Sequence, residues 1–163
     1  MSSDTLTTLA TLLGAKLKAQ GVMLATAESC TGGWVAQAVT AISGSSDWFE
    51  RGFVTYSDAA KQEMLGVSAD TLAEHGAVSE HTAREMAAGA LAHSRAQVAV
   101  AITGIAGPGG GSPEKPLGMV CFGWAVKEGV LNAETRQFKG DRESVRRQSV
   151  IAALQGVLAL LEG

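Results

Sequence analysis

A serine and a lysine each follow a predicted strand, and together they have the chemistry of a nucleophile and its base. Ser29 lies just past the end of a short apolar run, and Lys61 lies about one helical turn beyond the end of a second apolar run. A serine hydroxyl is a weak nucleophile that needs a neighbouring base. A lysine is that base only when its amine is neutral, a state that burial or a nearby positive charge favours by lowering the pKa. The pair therefore predicts acyl transfer.

Three residues around this pair have roles that the sequence leaves open. Tyr56 stands at the predicted end of the second strand, where its hydroxyl can relay a proton or orient the lysine. Cys30 competes as the nucleophile because a thiolate is intrinsically more reactive than a hydroxyl. A cysteine at the start of a helix is, however, also commonly a buried packing residue. Glu28 either orients Lys61 or accepts a helix N–H. The plainest alternative makes Ser29 a helix cap and Lys61 a solvated surface residue.

Glycines gather after two of the predicted strands, where bare backbone can approach a ligand closely. Gly32 and Gly33 open the helix after Ser29, and the N–H groups between Ser29 and Gly33 are predicted to hold a developing oxyanion. A second cluster runs over residues 103–112 and lacks the Gly-Lys-Ser/Thr ending of a P-loop. Such a backbone can still hold a phosphate or ribose, and Arg142 is predicted to bind the phosphate. The predicted substrate-binding residues are Cys30, Thr31, Gly32, Gly33, Thr103, Gly104, Gly107 and Arg142.

Alternating helical and strand patterns predict an α/β domain with layers of helices on a sheet. The predicted strands cover residues 22–27, 52–56, 98–103, 118–126 and 131–138, and the predicted helices cover residues 4–20, 34–42, the segment around Lys61, 68–74, the segment after Ser79, and residues 141 onward. The terminal hairpin makes the sheet mixed. If the first two strands are parallel neighbours, their carboxyl ends lie about 4.8 Å apart, at the edge where ligands bind in such sheets. Arg146 and Arg147, on the last helix, are interpreted as solvated or paired rather than as ligands.

Length and composition limit the protein classes that the chain fits. Its 163 residues predict one domain over residues 1–163. Two cysteines in a domain of this size predict a cytoplasmic protein with both thiols reduced. A net charge of −3 without a Lys/Arg run argues against nucleic-acid binding, and the absence of a long apolar run argues against membrane insertion. The three histidines lack metal-ligand spacing, so neither a metal nor a cofactor is expected.

Five sequence blocks occur together and in order, and their combination is highly specific. They are Thr26–Gly33, Gly52–Ser57 with Lys61, His75–Ser79, Gly104–Gly110 and Lys115–Gly118. With these blocks the chain resembles the CinA C-terminal domain family over almost its whole length, from about Leu6 to Leu161. Characterised bacterial members of that family are nicotinamide-nucleotide amidohydrolases.

The resemblance implies a fold, a reaction and an assembly. The fold is a three-layer α/β/α sandwich with a mixed, mostly parallel sheet. The reaction converts nicotinamide mononucleotide to nicotinic acid mononucleotide and ammonia, by Ser–Lys catalysis that Ser29 and Lys61 would carry with help from Tyr56. Thr103 and the glycines after it match the family's substrate-holding loop, and the assembly is a homodimer. Two other functions stay open: a Ser–Lys amidase acting on another small amide, and a non-catalytic nucleotide-binding module.

Overall fold

The computed structural model describes the backbone of residues 2–162 and the side chains of residues 5–162. Within that range the chain forms six α-helices and five strands. In chain order they are α1 (Ser2–Gln20), β1 (Leu24–Glu28), α2 (Trp34–Thr40), β2 (Phe49–Val54), α3 (Asp58–Leu65), α4 (Ala69–His75), α5 (Glu80–Ala92), β3 (Val98–Gly104), β4 (Met119–Val126), β5 (Leu131–Gln137) and α6 (Arg142–Glu162). None of the described helices is long and apolar enough to span a membrane.

The five strands form one mixed sheet in the order β2-β1-β3-β4-β5. Strand β1 pairs in parallel with both β2 and β3, whereas β4 is antiparallel to both β3 and β5. The predicted mixed α/β sheet is therefore confirmed, with two parallel and two antiparallel pairings. The chain leaves β1 for β2 on one side and later returns to β3 on the other, so the carboxyl end of β1 is the switch point where open α/β sheets bind ligands.

Helices cover both faces of the sheet, which gives the expected three layers. On β3, Val98, Val100 and Ile102 face the core beneath α1, α2 and α6, while Ala99 and Ala101 face the second core beneath α5. Side chains of a strand alternate between faces, so one strand supplies both cores. The alanine-rich face allows close packing of α5.

Two predicted boundaries near the site are wrong. Strand β2 runs over Phe49–Val54 instead of residues 52–56, and Tyr56 consequently lies beyond the strand. Strand β1 begins at Leu24 and includes Glu28, rather than covering residues 22–27. A strand ends where its backbone no longer finds hydrogen-bonding partners on a neighbouring strand. The end of an apolar run in the sequence does not mark that position.

Candidate active site

Ser29 and Lys61 meet at the carboxyl end of β1. Ser29 directly follows that strand, is 7% exposed, and donates its backbone N–H to the carbonyl of Ile102 at 3.0 Å. Lys61 lies on α3, whose N-terminus is capped by the Ser57 hydroxyl accepting from the N–H of Ala60 at 3.0 Å. The parallel neighbours β1 and β2 bring the two residues together, and the Lys61 amine lies 3.1 Å from the Ser29 hydroxyl oxygen.

The Lys61 side chain is buried against main-chain carbonyls rather than against a carboxylate. Only 1% of the residue is exposed, and its Nζ donates to the carbonyls of Thr55 at 3.0 Å and Tyr56 at 3.4 Å. Burial lowers the pKa of the Lys61 amine, and Asp58 and the Cys30 thiol oppose that shift only in part. Interpreting Lys61 as a solvated surface residue is therefore wrong, because its amine lies inside the fold.

A cavity of about 260 Å³ opens beside these two side chains. Eight predicted site residues line it: Ser29, Cys30, Tyr56, Lys61, Thr103, Gly104, Gly107 and Arg142. Thr31, Gly32 and Gly33 do not line it. Ala77 and Val78, between α4 and α5, line the cavity although we predicted no role for them. The sequence feature that could have indicated these two residues is the His75–Ser79 block, which contains them both. A larger groove, about 990 Å³, lies between β5 and α6 and contains none of the predicted site residues.

Glu28 closes the N-terminus of α2 from inside the fold. Its carboxylate is 1% exposed and accepts the backbone N–H groups of Gly33 at 3.2 Å, Val35 at 2.9 Å and Ala36 at 3.0 Å. It also accepts the Thr31 hydroxyl at 2.6 Å. The choice that the sequence left open is thereby decided: Glu28 accepts helix N–H groups.

The N–H groups of the two glycines that were predicted to hold the oxyanion are both bound to acceptors within the protein. The N–H of Gly33 binds Glu28, and the N–H of Gly32 donates to the Ser29 carbonyl at 3.0 Å. Both glycines instead turn the chain from β1 into α2, with φ angles of 61° and 103° that other residues rarely adopt. The Thr31 hydroxyl binds Glu28, so it also supports the turn.

Cys30 has the properties of a buried thiol. It is 6% exposed, and burial raises the pKa of its thiol to about 11. The thiolate is the reactive form of cysteine, so a thiol with this pKa is a poor nucleophile near neutral pH. The hydrogen bond between the Lys61 amine and the Ser29 hydroxyl favours Ser29 over Cys30 as the nucleophile.

Tyr56 and Arg142 form the exposed rim of the cavity. Tyr56 is 63% exposed, and its phenol oxygen accepts from Arg142 at 3.3 Å, while its carbonyl is the part that contacts Lys61. Arg142 also donates to the Gly107 carbonyl at 2.8 Å. Thr103, which also lines the cavity, donates its hydroxyl to the Ala77 carbonyl at 2.8 Å. Among the residues that the structure describes, no group of three or more His, Cys, Asp or Glu side chains is placed to hold a metal ion.

Comparison with known proteins identifies the family. The CinA C-terminal domain family matches residues 6–161. This chain belongs to the CinA C-terminal domain family. The CinA-type chain is 56% identical to the nicotinamide-nucleotide amidohydrolase PncC of Escherichia coli K12, over 95% of this chain and 94% of that protein. It is 53% identical to the protein of the same name from Pseudomonas putida, over 96% of this chain and 98% of that protein.

Solved structures of CinA proteins share the fold. The competence/damage inducible protein CihA of Agrobacterium tumefaciens is 46% identical, with a TM-score of 0.94 over 98% of this chain and 96% of that one. A CinA superfamily protein from Klebsiella pneumoniae is 41% identical, with a TM-score of 0.92 over 96% of this chain and 98% of that one. The resemblance stated from the five sequence blocks is confirmed.

The buried cap in this CinA domain gives a stability prediction. Glu28→Gln keeps the shape of the side chain but leaves one acceptor oxygen in place of two, so buried N–H groups of α2 lose their partner. We expect the free energy of unfolding to fall by about 1–3 kcal/mol, measured by denaturant titration. Glu63→Gln removes the same charge from an exposed position of α3 and should change stability little. Equal losses in the two variants would mean that the charge, rather than the cap, matters.

Proposed function

We propose that this protein hydrolyses the carboxamide of nicotinamide mononucleotide, giving nicotinic acid mononucleotide and ammonia. Relatives at 53% and 56% identity over nearly the whole chain are named nicotinamide-nucleotide amidohydrolases. The cavity beside β1 has the parts that this reaction needs: a serine hydroxyl, a buried amine, and a glycine-rich loop near an arginine. The observation that carries the proposal is the 3.1 Å contact between the Ser29 hydroxyl and the buried Lys61 amine.

The two carbonyls beside Lys61 suit a neutral amine that acts as a base. A neutral lysine has two N–H bonds and one lone pair. If the carbonyls of Thr55 and Tyr56 accept the two N–H bonds, the lone pair is left for the hydroxyl proton of Ser29. Burial favours this neutral form, and the positive pyridinium ring of the substrate would favour it further because like charges disfavour the ammonium.

The reaction then proceeds through an acyl-enzyme. Ser29 Oγ forms a bond to the carboxamide carbon while its proton passes to Lys61, and the C–N bond breaks as the lysine ammonium protonates the leaving ammonia. Water next attacks the ester carbon, gives its proton to Lys61, and the Ser29 oxygen leaves with that proton. The products are the acid and ammonia, and the enzyme returns to its starting state.

The N–H group of Cys30, which lines the cavity, is our revised candidate for the oxyanion hole. It donates to no other described residue, whereas the N–H groups of Gly32 and Gly33 are occupied and Thr31 does not line the cavity. Backbone N–H groups fixed beside a nucleophile stabilise the negative oxygen that develops in acyl transfer. The N–H of the residue after a nucleophilic serine has this role in other hydrolases with a strand–turn–helix nucleophile.

Ammonia release from the purified chain tests substrate and reaction class together. We expect release from nicotinamide mononucleotide, and much slower release from nicotinamide riboside and nicotinamide, which lack the phosphate. Equal rates on all three would favour a general Ser–Lys amidase, and binding of the mononucleotide without ammonia release would favour a nucleotide-binding module. Full activity in the presence of EDTA is expected, because the proposed reaction uses no metal.

Arg142 is the predicted phosphate ligand at the rim, together with the loop after Thr103. Arg142→Ala should raise the KM for nicotinamide mononucleotide about 10- to 100-fold and change kcat little, because the guanidinium has its hydrogen bonds to Gly107 and Tyr56 and none to Ser29 or Lys61. Arg84→Ala, on α5, is a control arginine outside the cavity. An unchanged KM in Arg142→Ala would exclude a phosphate contact. The phosphate must bind away from Lys61, since its charge would raise the pKa of that lysine.

The homodimer, the single domain over residues 1–163 and the cytoplasmic location stay predictions. Light scattering of the purified chain tests the homodimer. A single domain is expected to unfold in one cooperative transition.

A further inference from the structure

Strand β5 is an edge of the sheet, and half of its backbone groups lack a partner among the described residues. Phe138, just after β5, donates its N–H to the Gly118 carbonyl on the β4 side, so the even-numbered residues face β4. Successive residues of an antiparallel strand direct their N–H and C=O groups to opposite sides. The odd-numbered residues therefore direct these groups outward, where no described residue binds them: Leu131, Ala133, Thr135 and Gln137.

This edge has few of the features that usually prevent an edge strand from pairing with another chain. The seven residues of β5 include neither proline nor lysine, and their register with β4 has no bulge. Helix α6 packs on β3 and β4, and the groove of about 990 Å³ beyond it leaves the α6 side of β5 open. Apolar side chains form much of that groove: Trp124, Val126, Val130, Ala159 and Leu160.

The charged side chains of β5 make the edge complementary to a second copy of itself. Glu134 and Arg136 lie on the same face of the strand, are 44% and 40% exposed, and form an ion pair with each other. If two β5 strands pair antiparallel about a two-fold axis at Thr135, each residue lies opposite the one equally far beyond Thr135 in the other copy. Glu134 of each copy then lies opposite the partner's Arg136, and opposite charges at such positions stabilise a strand pair.

The outward backbone groups fit the same register. Thr135 would exchange two hydrogen bonds with the partner's Thr135, and Ala133 would exchange two with the partner's Gln137 on each side of the axis. Glu134 and the partner's Arg136 would then form a pair without backbone hydrogen bonds, the kind in which side chains come closer. An axis at Glu134 would instead place two carboxylates opposite each other, which is destabilising.

We propose that β5 is the interface of a homodimer, in which two copies pair their β5 edges about a two-fold axis at Thr135 and join their sheets into one. The opposite edge, β2, does not suit this arrangement. Its charged residues Glu50 and Arg51 are adjacent, so their side chains point to opposite faces and cannot lie opposite each other across such an axis. No residue of β5 lines the cavity that contains Ser29, so the interface does not depend on the proposed reaction.

Charge reversal tests the interface and its register. Light scattering during size-exclusion chromatography is expected to give twice the mass of one chain for the wild type. Glu134→Arg would place arginine opposite arginine at two positions, and Arg136→Glu would place glutamate opposite glutamate. Each variant is therefore expected to raise the dissociation constant of the dimer about 10- to 100-fold. Arg51→Glu, the matched reversal on the β2 edge, should leave the dissociation constant unchanged.

Mixing the two variants distinguishes repulsion at the interface from damage to the fold. In a mixed dimer of Glu134→Arg with Arg136→Glu, every charged position again lies opposite a charge of the other sign, so the mixture should associate about as tightly as the wild type. A chain that carries both changes should also form a dimer, and melting temperatures show which variants are folded. A monomeric wild type, single variants with an unchanged dissociation constant, or a mixture of folded variants that stays monomeric would each overturn the proposal.

Amide hydrogen exchange resolved by residue gives a second readout that needs no variant. The N–H groups of Ala133, Thr135 and Gln137 have no acceptor in one chain but would be hydrogen-bonded in the dimer. Their exchange should therefore slow as the protein concentration rises through the dissociation constant, whereas the inward N–H groups of Glu134 and Arg136 are bonded to β4 at every concentration. Fast exchange at the three outward positions in a fully dimeric sample would place the interface elsewhere and overturn the proposal.

Discussion

Ser29→Ala is expected to reduce ammonia release from nicotinamide mononucleotide by about 10⁴-fold or more, the usual effect of removing a nucleophile that acts with its base. Substrate binding should be largely retained, because the change removes one oxygen from a nearly buried side chain. Initial rates of ammonia release give the first result, and calorimetric titration of the variant with nicotinamide mononucleotide gives the second.

A matched serine outside the cavity is available as a control. Ser149, on α6, is fully buried and donates its hydroxyl to the Val145 carbonyl at 2.7 Å. Ser149→Ala should retain normal turnover, since that hydroxyl serves only its own helix. A normal rate in Ser29→Ala would remove Ser29 from the mechanism and make the Cys30 thiol the remaining nucleophile beside Lys61.

Lys61→Met is expected to lower turnover to a similar extent and to change how stability depends on pH. Burial lowers the pKa of the Lys61 amine below its ordinary value of 10.5, so the folded protein binds this proton less tightly than the unfolded chain does. Between the lowered pKa and 10.5 the unfolded state holds more protons, and the free energy of unfolding therefore rises with pH. Each unit of lowering corresponds to about 1.4 kcal/mol.

Methionine has no proton to bind at this position, so this pH dependence should be missing from Lys61→Met. The variant should gain stability relative to the wild type as the pH falls below 10.5, and lose that relative gain at higher pH. Denaturant titrations at several pH values give the two curves. Lys18→Met, at an exposed lysine of α1, controls for the loss of one positive charge. Parallel curves for wild type and Lys61→Met would contradict a lowered pKa.

The pH dependence of turnover tests the same amine in the active protein. If neutral Lys61 is the base, kcat/KM should rise with pH up to the lowered pKa of this lysine. Lys61→Arg should be inactive throughout the range, because a guanidinium keeps its proton in proteins.

The sequence by itself determined the class of fold and the position of the reactive pair along the chain. The periodic patterns of apolar residues depend only on residues close together in the sequence, so they indicated the strands and helices. The end of one apolar run placed Ser29 at the carboxyl end of a strand. The five motif blocks indicated the family, because their glycines, polar residues and spacing occur in one order. The 3.1 Å contact of Ser29 and Lys61 agrees with that expectation.

Only the tertiary structure decided which polar groups are occupied and which are free. Glu28 reaches the N–H groups of α2 because β1 ends beneath that helix, and this contact removes Gly33 from the predicted oxyanion hole. Arg146 reaches the Cys30 carbonyl only after α6 packs beside α2. A pattern of neighbours in sequence cannot specify such partners, because each buried hydrogen bond depends on where distant elements pack and which donors and acceptors they leave unpaired.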